Sequence, residues 1–238
     1  MEIFLTLAFL FMVGSLLGWV LELFFRRFFT AKRWINPGFL TGPCLPIYGF
    51  GLASLYAMSR IDLSFIENIY LQKITLFVIM TIIVTLIEYI GGLIFIKGLK
   101  TKLWDYSNRW GNIQGIICPL FTLFWFLGSM GYNLLLDKYV VKMATWFTNN
   151  IMFSFFVGVF FGIMVVDLAM SIGLASKIKN IAKEYNIVVK WESLKQSIAM
   201  KKESLKEKVQ FVTPFKNISL KESIQHYIEQ FKDKDKSK

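Results

Sequence analysis

The chain has 238 residues, of which 55% are hydrophobic, 17% aromatic and 18% charged. That charged fraction falls well short of the quarter usual in a soluble domain, which argues against a water-soluble enzyme. In residues 176–238, Lys supplies 15 positions and Asp plus Glu 8, so +7 of the formal +11 charge is gathered at one end. Two parts follow: a membrane body, 1–175, and a basic appendage, 176–238.

Runs of about twenty apolar residues are what a hydrocarbon core of about 30 Å requires at about 1.5 Å rise per residue. The first such run, 3–25, carries Glu22. It lacks a basic start and a small-residue cleavage site, and is expected to be retained rather than removed as a signal peptide. A basic loop with Arg26, Arg27, Lys32 and Arg33 follows. The second span, 39–58, opens with Gly and Pro, which predicts a bent or broken helix where neighbouring protein satisfies the released backbone groups. A half-apolar connection with Ile61, Leu63, Phe65 and Ile69 is expected to lie along the interface. The third span, 74–96, carries Glu88. Beyond Lys97, Lys100 and Lys102 comes the most polar-aromatic stretch of the body, 104–110 (WDYSNRW). Asp105 and Arg109 stand four apart in it, and it leads into Asn112 and Gln114. Trp104, Tyr106 and Trp110 suit a headgroup-level anchor, and the same loop could serve as a lid or a docking surface. The fourth span, 113–136, again opens with Gly and Pro. A second half-apolar outer connection (Val140, Met143, Trp146, Phe147) precedes the fifth span, 151–174, which carries Asp167. Gly14 with Gly18, and Gly158 with Gly162, have the spacing of close helix-packing faces.

The expectation is therefore an all-α polytopic membrane protein with five transmembrane helices. Its orientation follows from the connections: Lys and Arg total 23 on the side of the first and third loops and the tail, against 4 on the other. By the positive-inside rule the N-terminus is outside and the C-terminus cytoplasmic; richness in Lys, Ile and Phe suggests AT-rich bacterial coding, and with it an inner membrane. Cys44 and Cys118 then fall near the reducing side, where no disulfide framework is expected. With one His, at position 226, no metal site and no cofactor are expected.

The two cytoplasmic loops share a word, 38–46 (GFLTGPCLP) against 111–119 (GNIQGIICP), each following a span with a carboxylate and a basic run. This reads as a two-helix tandem repeat plus one helix, an arrangement that places transporter binding sites between repeats. The alternative is that GxxxG only lets helices pack closely. Glu22, Glu88 and Asp167 all lie inside spans, where a lipid-facing carboxylate would cost roughly 2.5 kcal/mol or more, so each is expected to face protein or water. They fall in the cytoplasmic half, level with the Gly-Pro helix starts. Two readings stand for them. They could bind a cation or the cationic part of a solute, with Asn112 and Gln114 orienting it. Glu22 and Glu88 could equally accept hydrogen bonds from those helix starts, or pair with Arg26 and Arg27, and hold the bundle together.

The words 38–43 (GFLTGP), 46–51 (PIYGFG), 104–107 (WDYS) and 111–115 (GNIQG) resemble the bacterial ABC-transporter type IV integral membrane family over most of the first 175 residues. The resemblance implies a permease-like subunit, and assigns no substrate and no residue role. No Gly-x-x-x-x-Gly-Lys-Ser/Thr loop is present, so an ATP-binding subunit would be a separate polypeptide.

In the tail, Trp191, Leu194, Ile198, Leu205 and Val209 share one helical stripe with Lys between them. After Pro214, Ser219 and Glu222 form a capping-box pattern ahead of Ile224, Tyr227, Ile228 and Phe231. The end, 232–238, reads as disordered. A basic amphipathic segment suits the anionic inner leaflet, self-association or an acidic partner protein, and nucleic acid is not expected. The functional expectation is a permease or permease subunit for a small, cationic solute. The alternative is a non-transporting scaffold whose tail binds lipid or a partner. An intramembrane enzyme lacks its nucleophile and base: no Ser, His and Asp set lies within the spans.

Overall fold

The computed structural model describes residues 2–30, 32–184, 188–204, 219–220, 222–225 and 227–228. Most of the chain is helical, and among the described residues four helical runs are long and apolar enough to cross a membrane: Glu2–Phe29, Ile69–Gly98, Pro119–Asn149 and Ile151–Lys183. The first is α1 (Glu2–Phe25) with a π-helical turn, Arg26–Thr30. Helix α2 spans Pro46–Met58, and α3 (Ile69–Leu93) ends in a second π turn, Ile94–Gly98. Helices α4 (Pro119–Gly131) and α5 (Asp137–Asn149) are joined by a third π turn, Tyr132–Leu136. Helix α6 is Ser154–Glu184 and α7 is Trp191–Ser204.

The second expected span differs from the sequence reading. Helix α2 has 13 residues, a rise of about 20 Å at about 1.5 Å per residue, against a hydrocarbon core of about 30 Å. Its start is set by Pro46, which lacks the N–H an interior position needs and forces Leu45 into extended backbone, with φ −119° and ψ 92°. The apolar residues before it, Phe39, Leu40, Cys44 and Leu45, are buried without being helical. The expected outer connection around Val140 also differs. It is helix α5, the second half of the third long run, Pro119–Asn149, and its Val140, Ala144 and Phe147 are buried.

The chain divides into two compact units. One comprises Met1–Gly18, Leu45–Gly91 and Asp105–Met164. Its core gathers Phe9, Leu10, Met80, Tyr132, Val140, Ala144, Phe147 and Val157, with Phe9 and Phe147 stacked at 4.4 Å between ring centroids. Small residues let α1 and α2 approach closely. A Cβ on Gly18 would fall 2.3 Å from Tyr48 Cβ, and one on Gly49 would fall 2.2 Å from Ser15 Oγ. Gly158 and Gly162, expected to form a similar face, have nothing within 4 Å of a Cβ.

The other unit comprises Trp19–Cys44, Gly92–Trp104 and Val165–Lys238. Strand β1 (Thr101–Lys102) pairs in parallel with β2 (Val189–Lys190), directly ahead of α7. The α7 stripe expected to meet lipid or a partner is covered by this unit itself: Trp191, Leu194 and Ile198 are buried, and Trp191 lies against Phe39 at 5.2 Å. The reason is its attachment to the strand pair, which turns the apolar stripe into core. Ser219 caps its segment through Glu222 N, 3.4 Å from Ser219 Oγ, and Ile224 and Tyr227 are buried. Leu205, Val209, Pro214, His226, Phe231 and 232–238 lie outside the described residues.

Conformational landmarks recur along the chain at the repeated words. The first and second π turns are each followed by a lysine at positive φ, Lys32 (53°) and Lys100 (52°), 68 positions apart. Gly38 (79°) and Gly111 (64°) are 73 apart, as are Pro46 and Pro119, which each open a 13-residue helix. The second copy thus holds five extra residues between its lysine and its glycine, and the WDYS word falls within that interval.

Candidate functional site

The three carboxylates within the long apolar runs are placed differently. Glu22, on the last turns of α1, accepts a 2.8 Å hydrogen bond from Arg26 Nε, one helical turn away. Arg26 also pairs with Glu192 of α7, and Glu192 lies 3.7 Å from Lys195 Nζ. Glu22 is therefore one end of an ion-pair chain within its unit.

Asp167, on α6, grips the loop before α2. Its Oδ1 accepts Thr41 N at 3.0 Å and its Oδ2 accepts Gly42 N at 2.7 Å, while Ser171 Oγ lies 3.3 Å from Oδ1. The carbonyls of the same loop are held from the other direction. Lys195 Nζ donates to Asn36 O at 2.9 Å and Gly38 O at 2.6 Å, and Trp191 Nε1 donates to Gly38 O at 3.2 Å. Asn36 completes the knot: it accepts Trp19 Nε1 at 2.7 Å and donates to Thr41 O at 2.7 Å. Loop 36–42 has no regular ladder for its backbone groups, and these side chains supply the partners that burial demands. Lys195 is 3% exposed. Burial lowers its proton affinity below that of an ordinary lysine, and the nearby Glu192 opposes that shift.

Glu88, on α3 in the other unit, is 4% exposed. Its Oε2 accepts Trp125 Nε1 of α4 at 2.9 Å and its Oε1 lies 3.1 Å from Tyr106 Oη. Both partners are neutral. Tyr106 stacks on Phe121 at 4.2 Å, and its backbone N–H donates to Gly115 O at 2.8 Å. Burial, followed by the Glu88 carboxylate, raises its proton affinity, so the phenol stays protonated and donates.

The rest of the polar-aromatic loop is organised around its own turns. Asp105 Oδ1 accepts Ser107 N at 3.2 Å, an Asx turn that sets up Tyr106. Asn112 donates to Ser107 O at 3.1 Å and Arg109 O at 2.8 Å, and accepts Gly115 N at 3.0 Å. Its side chain is thereby engaged in loop closure. Gln114 is exposed at φ 56° in the turn that follows, Arg109 is exposed, and Trp104 is half-buried. Of the residues selected from sequence, Glu88 and Tyr106 meet. Asp105 and Asn112 act on the loop that carries Tyr106.

Three participants escape sequence reasoning. Trp125 reads as one aromatic in an apolar helix, and Lys195 as one lysine among fifteen in the tail. The third is a polar cluster: Arg60 Nη2 lies 2.5 Å from both oxygens of Asp137, which also accepts Ser59 Oγ at 2.9 Å and Tyr132 Oη at 3.2 Å. Arg60 and Asp137 are 77 positions apart, beyond the reach of any local pattern. Among the described residues no group of three or more His, Cys, Asp or Glu side chains could hold a metal ion.

No curated protein and no solved structure matches this chain. A family model does, over residues 9–172, with the description "Putative ABC-transporter type IV". The matched region contains most of α1, all of α2 to α5, most of α6, and Glu22, Glu88, Tyr106, Trp125 and Asp167. This is a transporter-related membrane protein, and the chain belongs to that ABC-transporter type IV family.

Proposed function

We propose that this chain is a permease, or the membrane subunit of one, that moves a small cationic solute across a bacterial inner membrane, with its N-terminus outside and its C-terminus in the cytoplasm. The imbalance of Lys and Arg between alternate connections supports that orientation. The observation that carries the function is Glu88: a carboxylate inside an apolar run, nearly inaccessible, with an indole and a phenol as its hydrogen-bond partners and no cationic side chain against it among the described residues. Intramembrane acids of this kind mark ion and substrate pathways. Glu22 is answered by Arg26, and Asp167 by two backbone amides, so neither presents the same unmet charge. Energy would come from a separate ATP-binding subunit or from an ion gradient.

Reconstitution into liposomes tests this: the wild-type chain, alone or with a co-purifying ATPase, carries a Glu88-dependent flux, and Glu88→Gln abolishes it while membrane accumulation is retained. A loss of accumulation with no flux in the wild type favours a second reading, a non-transporting scaffold. That reading draws support from Asp167 and Glu22, whose oxygens hold a loop and an ion-pair chain.

A further inference from the structure

We propose that the positive charge taken up by Glu88 is a proton, and that Glu88 and Tyr106 together form the protonation site. This rests on the reading of Glu88 as the charge-binding group.

The two carboxylate oxygens are unequal. Oε2 faces Trp125 Nε1–H at 2.9 Å, and an indole N–H can only donate, so this oxygen remains an acceptor in either charge state. Oε1 faces Tyr106 Oη at 3.1 Å, and a phenol can donate or accept. With Glu88 ionised, both neighbours donate to it. With Glu88 protonated on Oε1, the new O–H donates to Tyr106 Oη while the phenol turns its own hydrogen away. No heavy atom has to move between the two states, and Trp125 holds the carboxyl in register throughout.

Other cations fit this surround poorly. Hard metal ions take several oxygen ligands, whereas the carboxylate's neighbours here are an indole N–H and a single phenol hydroxyl, with the Phe121 and Tyr106 ring centroids 4.2 Å apart. A proton needs only the lone pair that the phenol can release. The titratable groups acting on Tyr106 besides Glu88 are Cys118 at the start of α4 and Tyr48 on α2, and no charged side chain acts on Glu88 among the described residues. Tyr106 lies outside the four long helical runs, so its hydroxyl links the buried acid to the loop side. The step is a proton passing from water to Glu88 Oε1, with one O–H bond formed, one broken in hydronium, and no electron transferred.

Infrared difference spectroscopy across a pH titration of the purified full chain in detergent tests the site. The expected result is a protonated-carboxyl C=O band that grows as pH falls and is absent from Glu88→Gln. Tyr106→Phe keeps the ring stacked on Phe121 and removes the donor to the ionised form, so the midpoint of that band rises by about one pH unit, a tenfold change in proton affinity. A band that persists in Glu88→Gln, the lack of any such band in the wild type, or a midpoint unmoved by Tyr106→Phe overturns the proposal. The infrared measurement needs no transport. Glu88-dependent flux without a Glu88 titration therefore removes the proton site and leaves the permease reading, and a titration without flux does the reverse.

Discussion

Asp167→Asn isolates the grip of α6 on loop 36–42. The wild-type carboxylate accepts two backbone amides, Thr41 N at 3.0 Å and Gly42 N at 2.7 Å, one on each oxygen. Asparagine keeps one acceptor and sets an amide N–H₂ against the other backbone N–H, so one charge-assisted bond is lost and the remaining one is weakened. A hydrogen bond to a charged group contributes about 1.5–3 kcal/mol, which puts the change at roughly 2–4 kcal/mol, nearer the lower figure because Asp167 is only half-buried. Cys44, buried two residues beyond Gly42, reports loop opening. In a Cys118→Ser background it is the sole cysteine, and its maleimide labelling rate follows the open fraction. At about 1.4 kcal/mol per decade, Asp167→Asn should accelerate labelling by about 30-fold, with about 1,000-fold as the upper bound. Gly42→Ala, whose Cβ would sit 3.1 Å from Asp167 Oδ2, should give a smaller increase of the same sign. A labelling rate within twofold of wild type for Asp167→Asn would refute the claim that this carboxylate holds the loop.

Three further outcomes follow from the same structure. Gly18→Ala and Gly49→Ala force α1 and α2 apart and should each destabilise the chain by about 1–3 kcal/mol, whereas Gly158→Ala and Gly162→Ala, facing open space, should not; the fraction surviving heating in detergent measures this. Lys195→Met removes the donors to Asn36 O and Gly38 O and should lower the melting temperature. Because burial lowers the proton affinity of Lys195 in the folded chain, the penalty for its ammonium is in force at neutral pH and is relieved as pH rises toward the ordinary lysine value. The wild type should therefore gain stability over Lys195→Met as pH rises toward the ordinary lysine value, and a difference that stays constant over that rise would count against this. Arg60→Gln leaves Asp137 with Ser59 and Tyr132 as its partners among the described residues, and at this half-exposed position should cost about 1 kcal/mol in a denaturant titration, with Asp137→Asn in the same background adding little.

Much of the candidate site was legible beforehand. Ionisable residues inside apolar runs are rare enough to stand out, and Glu22, Glu88 and Asp167 were selected on that ground alone. Tyr106 stands out with the loop around it, and the Gly-Pro words mark where α2 and α4 begin. Their partners were not legible. Helix-start amides were anticipated as donors to Glu22 or Glu88, but the acid that takes amides beside the repeated word is Asp167, from α6. The tail stripe was read for lipid or a partner because its periodicity shows that an apolar face exists without showing what covers it. Pairing of β2 with β1 brings α7 into its own unit.

The sequence by itself determined the membrane class, four of the five expected apolar spans as long helical runs, and the Gly-Pro words at which α2 and α4 begin, because hydrophobic length and the missing proline N–H act locally. Only the tertiary structure decided that Phe39, Leu40, Cys44 and Leu45 are buried without being helical, that Asp167 binds amides 125 and 126 residues before it, and that Lys195 fills the carbonyls of Asn36 and Gly38. Each of these answers the same demand: a backbone polar group removed from water must find a partner wherever the chain brings one. That partner is chosen by three-dimensional proximity, which spacing along the chain does not encode.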